Sequence, residues 1–308
     1  MPGEDLATID VPFRFKVVNA VPVSVVAVTV GGLVLAGAPA DEPKLSVLLD
    51  TARGYGWAGA VLALAVIVVV ALLAEPLEIA SIRFLEGYWS FAGPLRPIAT
   101  VANWLQRRRH SRLLFFSAQN QNRPLAQQAA QALRRFPPRP NRILPTSLGN
   151  RLRGFEDRAG TAYGIKAVAW WPRLHHALPE SVLNSVNQYR NQLDVAVRLG
   201  IAFAVCAVAT FGLLVRQPSW WWMPAVFVAL AWFAYRGALG AADTYGVAVT
   251  AAIDVYHLRL LQEMRLEIPQ DTNAERAVNR QLDRLWRGIG QANVRYSTTD
   301  SDHKIEIK

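Results

Sequence analysis

Residues 198–236 read RLGIAFAVCAVATFGLLVRQPSWWWMPAVFVALAWFAYR. Arginine stands at both ends and once near the middle, and no other charge interrupts the stretch. Leu199 to Val215 and Pro218 to Tyr235 are thus two uncharged runs separated by Arg216 and Gln217 alone. Roughly 17 to 25 apolar residues, each rising about 1.5 Å, cross a hydrocarbon core of about 30 Å. Two such runs back to back predict a helical hairpin through a membrane.

Outward from this hairpin the same signature recurs twice. Val17 to Gly37 carries no charge, is preceded by Arg14 and Lys16, and is followed by a loop from Pro39 to Pro43. Gly56 to Ala74 is uncharged and rich in Val, Leu and Ala. The small residues at 36–40 resemble a signal-peptide cleavage site. The first run is nevertheless longer than a signal core, and Glu4, Asp5 and Asp10 precede it, so retention as a span is expected. Composition agrees with four spans: apolar residues make up 52% and charged residues 18% of 308, with a mean hydropathy of +0.16. Cys206, the one cysteine, excludes an internal disulfide framework and a dithiol redox centre.

The net charge of +10 is segregated. Residues 75–194 hold 17 Arg and Lys against 7 Asp and Glu, which alone amounts to +10. The positive-inside rule places this segment in the cytoplasm, and four spans then place both termini there too. Trp220, Trp221 and Trp222 suit the opposite interface, where indole rings prefer headgroup depth.

These features divide the chain into a leader (1–16), a transmembrane hairpin (17–74, spans 17–37 and 56–74), a basic domain (75–178), a long helical hairpin (179–268, spans 199–215 and 218–235), and a C-terminal helix with a disordered tail (269–308). Leu77 to Leu114 reads as helix in pieces, broken around Gly93-Pro94 and Pro97. Arg134 to Arg142, with three prolines, reads as an extended connector. Thr146 is a candidate N-cap for a helix over 148–158, and Trp170-Trp171-Pro172 is expected to end the next one. Pro179-Glu180-Ser181 opens a helix running into span three.

Beyond Arg236 two seams follow span four. Leu239, Ala242, Gly246, Val249, Ile253, Tyr256 and Leu260 form an apolar one, and Arg236, Asp243, Asp254 and His257 mark a polar one. This alternation of threes and fours predicts that helices three and four continue into the cytoplasm as an antiparallel stalk. Thr272-x-x-Glu275 reads as a capping box opening the last helix. The expected fold is all-α and integral to the membrane.

No phosphate loop, HExxH, G-x-S-x-G or Cys/His metal spacing occurs. His175 and His176, with Glu156 and Asp157 near in sequence, could form an acid–base or metal cluster. Adjacent histidines point different ways, however, and no third ligand stands at a recognisable spacing, so interfacial side chains are the favoured reading. Asp243, Asp254 and His257 below Arg236 could line an aqueous path. An internal polar seam pairing with Arg190, Arg198 or the basic domain is favoured, because these residues lie past the expected membrane boundary. Arg107, Arg108, Arg109, Arg112, Trp170, Trp171 and Arg173 form a candidate surface for a partner or for anionic headgroups. No folded nucleic-acid module is visible, so nucleic acid is not an expected partner. No cofactor or catalytic residue is assigned, and Cys206 reads as a small apolar filler.

Leu85-Glu86-Gly87-Tyr88-Trp89 resembles a group of bacterial multi-span inner-membrane proteins without an assigned activity. The resemblance extends to Leu144-Pro145-Thr146, Leu148-Gly149-Asn150, Glu156-Asp157, Tyr163-Gly164 and Trp171-Pro172-Arg173-Leu174, and to Tyr245-Gly246 with Asp254, His257, Leu260 and Leu261. It implies a bacterial inner membrane and adds no catalytic residue. The functional expectation is a non-enzymatic scaffold or partner-docking platform. A self-assembled channel or membrane-permeabilising effector is the rival, and a membrane-associated hydrolase using His175 or His176 a weaker one.

Overall fold

The computed structural model describes residues 10–74, 77–91, 93, 96–119, 123–291 and 293–297. Among these the fold is all-helical and contains no strand. The α-helices are α1 (Asp10–Leu35), α2 (Leu45–Ala74), α3 (Leu77–Glu86), α4 (Arg96–Ser117), α5 (Arg123–Leu133), α6 (Ser147–Arg158), α7 (Ala167–Ala177), α8 (Glu180–Leu214), α9 (Trp222–Glu263) and α10 (Thr272–Trp286). They group into two compact units, one of residues 1–89 and 191–241, the other of residues 90–190 and 242–308. Helices α8 and α9 contribute to both.

Among the described residues, α8 and the segment Pro218–Glu263 that contains α9 are long and apolar enough to cross a membrane, and a bent α2 makes a third if its two arms count as one span. At about 1.5 Å per residue, α8 and α9 run to roughly 50 and 60 Å, well beyond a hydrocarbon core of about 30 Å. Each is therefore longer than one crossing needs. Within the first unit the two helices approach on small side chains. A Cβ on Gly200 would lie 3.7 Å from that of Ala234, and Ala202, Cys206, Ala207 and Ala238 are buried. The hydroxyl of Thr210 is satisfied by the Cys206 carbonyl at 2.7 Å. In the turn between the helices, the Trp221 indole N–H donates to the Leu214 carbonyl at 3.2 Å.

The loop after α1 is fastened to that turn. Gln217, 6% exposed, donates from Nε2 to the carbonyls of Pro39 at 3.1 Å and Asp41 at 3.2 Å. Leu33, Ala38 and Leu214 pack beside it with Trp220 and Met223. Helix α2 is not straight. Gly56 holds φ 55 and ψ −155, a left-handed geometry that only glycine takes without strain, and the arms Leu45–Gly59 and Val61–Val70 lie at 82°. The run expected to form span two therefore begins at a bend.

The second unit has the larger core, with Ile165, Trp170, Leu174, Ile253, Leu261 and Leu282 at its centre. Asn150 organises the approach to α6. Its Oδ1 accepts from the Leu144 N–H at 2.7 Å and its Nδ2 donates to the Leu144 carbonyl at 2.9 Å, so one side chain pairs both backbone groups. The cap on α6 is Thr146, accepting from the Gly149 N–H at 3.1 Å. Glycines 160 and 164 adopt φ values of 74 and 75 and turn the chain into α7. A Cβ on Gly164 would meet the Arg276 backbone at 3.1 Å, so α10 packs directly on this turn.

Three expectations need correction here. Pro172 lies inside α7 rather than ending it. The N–H that Pro172 lacks would have bonded the carbonyl of Val168, a residue 65% exposed, so water can serve that carbonyl and the helix continues to Ala177. The N-cap of α10 is Asp271, accepting from the N–H groups of Asn273 and Ala274, which leaves Glu275 free for another role. Residues 293–297, expected to be disordered, lie antiparallel to 265–267: Glu267 N–H donates to the Arg295 carbonyl and Ser297 N–H to that of Arg265. Residues 1–9 of the leader and the last eleven residues lie outside the described ones.

Candidate functional site

The polar seam of α9 gathers partners from three neighbouring elements. Gly246 is the point of closest approach, since the Phe155 ring of α6 occupies the space a Cβ would need. Three residues before it, Asp243 Oδ2 meets the Arg151 guanidinium and stands 3.6 Å from Arg135 Nε. Arg190 of α8 lies over the Tyr245 ring with its Cζ 5.6 Å from the centroid. Two arginines on one half-buried carboxylate leave local positive charge in excess, as the composition of 75–194 requires.

Further along α9, His257 is buried. Its Nδ1 lies 2.9 Å from the Ile253 carbonyl, a contact only a protonated nitrogen can make, and its Nε2 lies 2.7 Å from Glu275 Oε1 on α10. Tyr163 stacks on the imidazole with centroids 4.1 Å apart, and Asn279 donates to the Tyr163 carbonyl at 2.9 Å. Burial pushes the Tyr163 phenol above its ordinary range, and the charges of Asp254 and Glu275 push the same way. One turn beyond Asn279, Asp283 meets Lys166 at 3.2 Å and Arg287 at 3.5 Å. The side chains of His257 and Glu275 are 8% and 13% exposed, so the pair offers little access to a substrate.

The remaining expected residues are dispersed. Asp254 is exposed, and Arg236 is exposed above the Trp232 ring at 5.5 Å. Trp170 is fully buried and packs edge-on to Trp286, which removes it from the surface expected of it. Trp171 is half-buried, and Arg173 lies over Trp286 at 4.6 Å. Arg107, Arg108, Arg109 and Arg112 are all exposed on α4. His175 and His176 have ring centroids 5.6 Å apart at 78°, while Asp157 is bound by Arg142 at 2.9 Å. Among the described residues no group of three or more His, Cys, Asp or Glu side chains is placed to hold a metal. Glu275, Tyr163, Arg151 and Arg135 were missed by sequence reading. Only Glu275 carried a signal, and its spacing from Thr272 pointed to a cap instead.

No protein-family model, curated protein or solved structure matches this chain.

Proposed function

We propose that the chain is a four-span inner-membrane protein of a bacterium, with both termini in the cytoplasm, and a non-enzymatic platform that docks a protein partner. The lower parts of α8 and α9 form the stalk of that platform. The observation that carries the reading is a stripe on α9. Its apolar seam at Leu239, Ala242, Gly246, Ile253 and Leu260 is buried against the chain itself. On another face Val247, Ala251, Val255 and Leu258 are exposed at spacings of four, four and three. An apolar row on a helix already anchored by its own core is a surface for a second helix.

The ionisable groups around it support a structural role. Asp243, Asp157 and Asp283 are each engaged by a neighbour of opposite charge, and His257 lies against Glu275. The fastening of Pro39 and Asp41 to Gln217 supports the span count, since the loop after α1 then shares a side of the membrane with the α8–α9 turn.

The test is the native mass of the complex released gently from its own membrane. Mass beyond one chain of 34.0 kDa, not an integer multiple of it and lost in Val247→Glu/Val255→Glu, supports a docked partner. An integer multiple lost in the same variant turns the reading to self-assembly, with conductance as the next measurement. A single-chain mass with no change in the variant overturns both.

A further inference from the structure

Helix α4 wears its polarity inside out. Toward the second unit it presents Ala99 and His110, both buried, with Asn103 and Gln106 half-buried, and Gln106 Nε2 donates to Ser147 Oγ at 3.3 Å. Toward the outside it presents Ile98, Val101, Trp104, Leu105 and Phe115, each more than half exposed. Residues 98, 101, 105, 108, 112 and 115 recur at 3-4-3-4-3, so Arg108 and Arg112 stand within the apolar row itself. Arg107 and Arg109 flank it on either side. Arg108 covers the Trp104 ring at 5.3 Å, and Arg108, Ser111, Arg112, Phe115 and Phe116 line one shallow hollow. Residues 96–117 contain five arginines and no acidic residue.

We propose that this face of α4 lies in the headgroup–acyl boundary of an anionic bilayer. Trp, Phe, Leu and Ile on one face with arginine stems laid between them is the composition of an interfacial helix, with the rings entering the acyl edge and the guanidinium groups meeting lipid phosphates. Charge complementarity selects the occupant: Arg107, Arg108, Arg109 and Arg112 make the C-terminal half of the row cationic, and residues 96–117 carry no carboxylate that would pair with a protein's basic side chains. Neither signal alone anchors stably to a membrane, and α4 has both. The proposal rests on α8 and α9 anchoring the chain, because tethering raises the effective concentration of the lipid surface without a new contact. It does not depend on the α9 stripe.

The test uses the full chain with Cys206→Ala and Leu105→Cys bearing an environment-sensitive fluorophore, reconstituted into vesicles of brominated phosphatidylcholine with or without phosphatidylglycerol. Flotation of the vesicles first reports whether the chain is membrane-anchored, separating that premise from the proposal. For floated protein, the expected result is quenching by the brominated chains when phosphatidylglycerol is present. That quenching should be lost at high salt and in Arg107/Arg108/Arg109/Arg112→Gln, retained in the matching Lys variant, and not competed by inorganic phosphate. A label equally quenched by aqueous iodide in both vesicle types overturns the proposal. So does one shielded from iodide yet untouched by brominated lipid, which would mean that a protein surface covers α4.

Discussion

Asn150 does the work of a neighbouring strand with a single amide. Removing it leaves both the N–H and the carbonyl of Leu144 buried without a partner, and each such orphan costs about 1–3 kcal/mol. Asn150→Ala should therefore destabilise the second unit by roughly 2–5 kcal/mol, read as faster amide exchange at Leu144 and through α6, while the first unit keeps its protection. His110 shows how burial makes a site pH-sensitive. Burial, with the Arg158 guanidinium second, holds its imidazole below the ordinary range, and the Phe136 ring lies 5.4 Å away. The unfolded chain then binds the proton more readily than the folded one. The stability contributed by neutral His110 is present above its unfolded pKa of about 6.5 and is lost as pH falls from there through the folded value. Exchange protection of α4 and α5 should drop on acidification below pH of about 6.5, and His110→Gln should flatten that dependence. An identical slope in the variant would assign the titration elsewhere.

Glycines set the geometry of two helices in opposite ways. On α9, Gly246 admits Phe155, so Gly246→Ala forces overpacking of about 1–3 kcal/mol, and Phe155→Ala in the same chain should recover part of it. Independent losses that simply add would show that the two do not meet. On α2, Gly56 bends the helix, and Gly56→Ala should favour a straight one, lengthening the spin-label distance between positions 47 and 68. The long helices were legible because their signals are redundant. Leu239, Ala242, Gly246, Val249, Ile253, Tyr256 and Leu260 repeat one instruction over six turns, and the structure buries five of them and half-buries Val249 and Tyr256. What stayed hidden depended on single competitions. Asp271 wins the cap from Thr272 and sends Glu275 to His257. Pairing of 293–297 with 265–267 is a backbone affair that no side-chain pattern announces. The density of arginine on α4 masked an apolar row of helical period. Asp243 could be placed on a face from its spacing, but Arg151 and Arg135 could not be matched to it, because charge carries no address across 90 residues or more.

At the scale of the molecule, one side-chain amide constrains the path through the membrane. Gln217 ties Pro39 and Asp41 to the α8–α9 turn, so these residues share one side of whatever α8 crosses. Arg198 stands at the far end of the same apolar run. On the proposed topology, in which α8 crosses the membrane, the chain from Asp41 to Arg198 crosses an odd number of times, and among the described residues between them only the bent α2 is apolar enough to do so. That topology requires both arms of α2 to act as one crossing, with the Gly56 bend set in its path. On the proposed orientation, with the basic segment inside, an impermeant maleimide applied to sealed cells in a Cys206→Ala background should modify Glu42→Cys and Ser219→Cys but not Arg109→Cys. Reaction at position 109 alone would reverse the orientation and keep the crossing. Reaction at 42 and 109 together, with 219 protected, would break the tie between loop and turn and leave α2 on one side of the membrane.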